Sequence, residues 1–271
     1  MNRRNTMKLP YKWLLPLSLM LSPLAQTQEV DVQEIVKRAE LAAYYAGDDG
    51  RSAARMLITD AQGRKQMRQF VILRKDREDG GSQDMMVFFS RPADVRDTVF
   101  RVVKNTDRDD DRWLYLPGLD LVKRISAGDK RTSFVGSHFF YEDVSGRSTS
   151  QDNFSLLDET DKQYVLEANP KDPGSVEFTR YQVSIDKATM LPVKIDFFDS
   201  KGENYRRVEA LKTEEIQGYP TVTHSRVQDL RSGGETEMQF RFISYDLGLP
   251  DDVFSERSLR NPPRDWLELR D

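Results

Sequence analysis

The chain contains no cysteine and only two histidines, His138 and His224. Without cysteine there is no thiol nucleophile, thiolate zinc site, iron–sulfur ligation or disulfide, and no N-terminal cysteine to carry a lipid anchor. The two histidines lie far apart in sequence, whereas an acid–base or metal centre needs several converging partners. Each reads as a structural or surface residue before it reads as a ligand. Long hydrophobic runs are also missing. The apolar stretch Trp13–Leu21 falls well short of the roughly 20 residues that span a bilayer. An excess of positive charge is absent too: 41 Lys and Arg stand against 45 Asp and Glu, for a net charge of −4. The basic residues are interleaved with acidic ones, which argues against nucleic acid as a partner. Neither a nucleophile elbow, a phosphate loop nor a dinucleotide fingerprint occurs.

What is present begins at the N-terminus. Arg3, Arg4, Lys8 and Lys12 precede the short apolar run, and Ser22-Pro23-Leu24-Ala25 follows it. A basic start, a brief apolar core and a small-residue exit predict a cleavable secretory signal over residues 1–25, with Met1 or Met7 as the start. An uncleaved anchor is the alternative. Cleavage removes those four basic residues and leaves a more acidic exported chain, with residues 26–271 read as a single domain.

Asp31-Val32-Gln33-Glu34 has the spacing of a helix cap. Val32, Ile35, Val36, Ala39, Ala42, Ala43 and Ala46 then recur at steps of three and four, predicting an amphipathic helix that Gly47 and Gly50 end. Beyond it the period changes to two. Arg55–Thr59 and Arg68–Leu73 flank Asp60-Ala61-Gln62-Gly63 as a hairpin. Further strands are predicted at residues 85–89, 99–104, 112–116, 121–125, 164–168, 176–185, 193–199, 205–211, 221–230 and 237–245. Residues 134–143 and 253–259 read as short helices or turns. In Met238-Gln239-Phe240-Arg241-Phe242, and in Val193, Ile195 and Phe197 against Lys194 and Asp196, one face is apolar and the other wet. A large sheet with one dry face must be covered, and a single small helix leaves room for part of that face to stay open as a cavity; a well-filled core, which gives the same alternation, is the alternative.

Two motifs fail as chemistry. Asp107–Asp111 resembles the start of a calcium loop, but the sixth position is Arg112 rather than Gly and the twelfth is Gly118 rather than Glu. Ser184-Ile185-Asp186-Lys187 matches a Ser-x-x-Lys pattern without its companion elements. No catalytic residue, metal ligand or cofactor is expected.

Several segments together carry a resemblance: Phe88-Phe89-Ser90-Arg91-Pro92-Ala93-Asp94-Val95, Trp113-Leu114-Tyr115-Leu116-Pro117-Gly118, Ser133-Phe134-Val135-Gly136-Ser137-His138-Phe139-Phe140-Tyr141-Glu142-Asp143 and Leu191-Pro192-Val193-Lys194. They resemble the LolA-like outer membrane lipoprotein-sorting protein family. The resemblance implies an α+β, mostly antiparallel fold, a curved and unclosed half-barrel with helices packed in its concave face. It also implies a periplasmic carrier or chaperone for acyl chains of lipoproteins or other lipids. An adaptor for an RND/MMPL-type inner-membrane transporter is the alternative. Expected partners are the lipid cargo, an inner-membrane transporter of RND/MMPL or ABC type, and an outer-membrane acceptor. The candidate cavity liners are Met86 and Phe88, Trp113 and Tyr115, and Phe240 and Phe242, each pair sharing a strand face; plain core is the competing reading for each.

Overall fold

In the computed structural model, residues 31–268 apart from residue 79 are described. The predicted signal segment lies outside the described residues. Helix α1 (Val32–Tyr44) begins where Asp31 accepts hydrogen bonds from the backbone N–H groups of Gln33 (2.9 Å) and Glu34 (3.2 Å). It ends at Tyr44, and its buried stripe is Ile35, Val36 and Ala39. Gly50, expected to close the helix, instead lies in the first strand.

Six strands follow as a meander: β1 (Asp49–Thr59), β2 (Lys65–Asp76), β3 (Gln83–Arg91), β4 (Val99–Lys104), β5 (Asp111–Leu116) and β6 (Leu121–Ile125). A connector then carries the short helix α2 (Tyr141–Ser145) to a second meander. Its strands are β7 (Asp152–Glu159), β8 (Gln163–Pro170), β9 (Arg180–Asp186), β10 (Pro192–Phe198), β11 (Asn204–Ile216), β12 (Tyr219–Asp229) and β13 (Gly234–Tyr245). All are antiparallel, and β13 pairs with β1 to join the meanders into one 13-stranded sheet. The order runs from β6 at one edge to β7 at the other, so two strands consecutive in sequence lie at opposite edges of the sheet. The sheet is therefore an unclosed half-barrel, and the chain between β6 and β7 has to cross its concave side.

Strand β7 is absent from the sequence expectations. Its Asp-Asn-Phe-Ser-Leu-Leu-Asp-Glu has no clean alternation, because a bulge between Leu156 and Asp158 breaks the pleat and the edge position leaves most of it exposed. Residues 176–179 are not strand either. Phe178 turns into the core there, stacking against Tyr181 and Phe197.

The first meander is covered on both faces. Its concave side holds Met56, Phe70, Val87, Phe89, Phe100 and Val102 around Phe134 and Tyr141 of the connector. On the convex side Leu73, Met86, Phe88 and Val99 pack under a C-terminal strap containing Leu249, Val253, Phe254 and Leu259. The strap includes the single-turn helices α3 (Arg257–Arg260) and α4 (Arg264–Leu267). It is pinned at its start by the buried Asp49 carboxylate, which accepts from the N–H groups of Leu247 (2.6 Å) and Leu249 (2.5 Å). Among the described residues no helix is long and apolar enough to cross a membrane.

Candidate functional site

The second meander is covered less completely. Residues opposite one another form an apolar rung across its concave face: Leu166 faces Val183, Val183 faces Ile195, Ile195 faces Val208 and Val208 faces Val227. A parallel rung runs Ala210, Ser225, Met238 and Met56. Between these rungs, α1 and the connector lies a cavity of about 430 Å³. Ala39, Ala42 and Ala43 of α1 face it, so the helix covers the cavity without filling it.

Its charged end is built by the connector. Glu142 is buried and accepts from Arg131 (2.6 Å) and Arg147 (3.3 Å), with Lys130 3.5 Å away. Arg131 also binds Glu177 through both arms (2.7 Å each), and Arg147 binds Asp152 likewise (2.8 and 2.9 Å). Arg206 pairs with Asp143 and stacks on Phe140 and Phe197, whose rings Arg131 also covers. Burial alone would push Glu142 up, but the charges of Arg131 and Arg147 outweigh it and hold the carboxyl below its ordinary range. Glu177 is held down in the same way, with burial opposed by Arg131. Burial and the neighbouring Asp152 push the Tyr181 hydroxyl far above its ordinary value, so it stays a neutral donor to that carboxylate at 2.9 Å.

Helix α1 is fastened over the cavity by Glu40. Its two carboxylate oxygens meet the Thr149 hydroxyl (2.8 Å) and the buried Lys104 ammonium (3.8 Å), which lies over the rings of Tyr44 and Tyr45. Tyr44 rests on Gly146, whose φ is 80° and whose missing side chain leaves room that a Cβ would take at 2.8 Å from the ring. Gly146→Ala is therefore expected to lose about 2 kcal/mol of stability from positive-φ strain and this clash. Gly128→Ala, with φ outside that region and open surroundings, should be near neutral. Thermal melting of the two variants side by side distinguishes them, and equal melting points would refute the Tyr44 contact as the cause.

Of the sequence candidates, Phe240 lines this cavity. The structure places the others elsewhere. Met86 and Phe88 point to the convex side under the strap, and Tyr115 packs with them. Trp113 carries the Arg101 guanidinium 4.7 Å above its ring, and Arg101 Nε donates to the Phe254 carbonyl, again in the strap. Phe242 is exposed because its φ of 51° and a bulge against β1 break the alternation. Ile243 and Tyr245 take the inward positions instead. In β3 both faces are apolar, so Met85, Val87 and Phe89 cannot be told from Met86 and Phe88 by pattern. The charged end wall has no simple local signature either: Glu142, Arg147 and Asp152 lie at five-residue spacing, but Glu177 joins Arg131 only through the fold.

The remaining polar motifs find internal partners. His138 Nδ1 meets the Thr236 hydroxyl at 2.8 Å and His224 Nε2 meets Glu237 at 2.9 Å. In the acidic turn, Asp109 pairs with Lys130 (3.3 Å), Asp110 with Arg112 (2.6 Å) and Asp111 with Arg108 and Arg124 (2.6 Å each).

A model of a family described as an uncharacterized protein matches residues 81–261. A solved DUF1329 family protein from Desulfovibrio piger is 30% identical, with a TM-score of 0.76 over 84% of this chain and 96% of that one. The chain belongs to the DUF1329 family. A second solved structure, from Vibrio parahaemolyticus and described as an outer membrane lipoprotein-sorting protein domain, is 27% identical with a TM-score of 0.75. The match covers 84% of this chain and 96% of that one. A LolA superfamily protein from Nitrosomonas europaea shares the fold at 19% identity and a TM-score of 0.63, over 84% of this chain and 99% of that one. Comparison with curated proteins finds no match. The DUF1329 fold is thus LolA-like, in agreement with the half-barrel expected from the segments around Trp113 and Phe134.

Proposed function

We propose that this protein is a non-enzymatic periplasmic carrier that shields the hydrocarbon of a lipoprotein or lipid between membranes. The observation that carries this reading is the unfilled cavity over the Leu166–Val227 rung, roofed by alanines of α1. Each methylene moved from water into such a site gains about 0.8 kcal/mol, so ten of them gain roughly 8 kcal/mol before ordering costs. Phe240, Ile195 and Val208 are the proposed contacts. The lipoprotein-sorting description of the Vibrio parahaemolyticus relative supports the same role. An inner-membrane transporter as donor and an outer-membrane acceptor are the partners it requires.

The exported form, titrated with a fluorescent fatty-acid probe, is expected to take it up saturably at micromolar concentration. Ile195→Asp should weaken uptake at least about tenfold, because a bare carboxylate in an apolar lining costs several kcal/mol. Wild-type protein that shows no saturable uptake would remove the carrier reading.

A further inference from the structure

We infer that the cavity seats a single hydrocarbon chain and leaves the ligand's charged head in solvent; this rests on the carrier reading above and narrows it to a ligand class. The first reason is size. A six-carbon benzene occupies a cavity of roughly 150 Å³ in a protein core, so about 430 Å³ corresponds to on the order of 17 carbons. That is one long acyl chain. Two such chains, or the three of a fully acylated lipoprotein N-terminus, exceed it.

The second reason is charge. The cations of the end wall are already bound. Arg131 and Arg147 share Glu142 and are held separately by Glu177 and Asp152. Arg74 spends its guanidinium on Asp76 and on the carbonyls of Tyr44, Ala46 and Gly47. Arg51, outside the end wall, makes one hydrogen bond, to the carbonyl of Glu268 (3.3 Å), and its Nε is buried without a partner. The acids are equally engaged: Glu40 by Thr149 and Lys104, Asp143 by Arg206 and Glu209 by Arg226. A ligand carboxylate or phosphate pushed against the end wall would lose its hydration and find no free counter-charge there, which is strongly unfavourable. The end wall therefore repels a head of either sign and stops the tail. The arrangement selects single-chain amphiphiles entering tail first: fatty acids, fatty alcohols and lysolipids.

Competition against the bound fluorescent probe tests this. Hexadecanol and palmitate should displace it within about threefold of each other, since the head contributes nothing inside. Affinity should rise about fourfold per added methylene and level off near 17 carbons. A dipalmitoyl phospholipid should compete at least about tenfold more weakly than palmitoyl lysophospholipid, and native mass spectrometry should find one chain per protein. Tenfold preference for palmitate over hexadecanol, or equal competition by the two-chain lipid, overturns the inference while leaving the carrier reading intact. Failure of the probe itself to bind would instead remove both.

Discussion

Glu142→Ala is expected to cost about 3–5 kcal/mol of folding stability, the largest single-site loss predicted for this fold. The carboxylate is only 2% exposed and is shared by Arg131, Arg147 and Lys130. Removing it leaves three cations facing one another around an emptied site, their mutual repulsion only partly offset by the carboxylates that remain. Arg131 retains Glu177 and Arg147 retains Asp152, so the protein should still fold, with a lower urea midpoint and a melting point down by about 10 °C. Glu142→Gln, which keeps the shape and one acceptor, should lie between the two. A loss below about 1 kcal/mol for Glu142→Ala would mean that the cluster is solvated and does not organise the connector.

The same cluster sets an acid limit. Glu142 and Glu177 titrate in the folded state below their ordinary value of 4.5. A carboxyl depressed on folding contributes stability that is present above its unfolded value and is lost as pH falls through its folded one. Stability of the wild type should therefore hold at neutral pH and fall progressively below about pH 4.5. Glu142→Gln should show a shallower acid limb, readable as urea midpoints at several pH values.

Ala210→Trp is expected to lower probe affinity at least about tenfold while changing stability by less than about 1.5 kcal/mol. Ala210 is half-buried on β11, opposite Ser225 and in the rung that continues to Met238, and it opens onto the cavity. An indole there occupies volume that the hydrocarbon would use, without displacing packed core. Chains near sixteen carbons should suffer more than short ones, since the shortened cavity still takes a short tail. Phe242→Trp, on the exposed side of the bulge, is the matched control and should bind the probe as the wild type does. An unchanged affinity in Ala210→Trp, measured by the same titration, would place the ligand elsewhere on the protein.

The contrast between Phe240 and Phe242 shows how much of the site could be read in advance. Phe240 was legible because β13 alternates cleanly up to it. Phe242 was not, because a bulge is a backbone event against β1 that Gln239-Phe240-Arg241-Phe242 does not announce. Met86 and Phe88 were misplaced for a different reason. Alternation reports which face is buried only when the other face is wet, and β3 is buried on both sides. The end wall was invisible because its charges follow no motif spacing and are individually ordinary in a chain with 45 carboxylates.

The sequence by itself determined the local grammar: a capped, alanine-faced helix, a run of antiparallel strands with short turns, no thiol chemistry, and a family resemblance carried by the segments around Trp113 and Phe134. Tertiary structure alone decided which face of each strand looks inward, that the β6–β7 connector crosses the concave side, and that a cavity of about 430 Å³ survives beneath α1. The reason is physical. Helix and strand periods follow from neighbours a few residues apart, whereas a cavity is the space left when elements far apart in the chain pack without filling the volume between them.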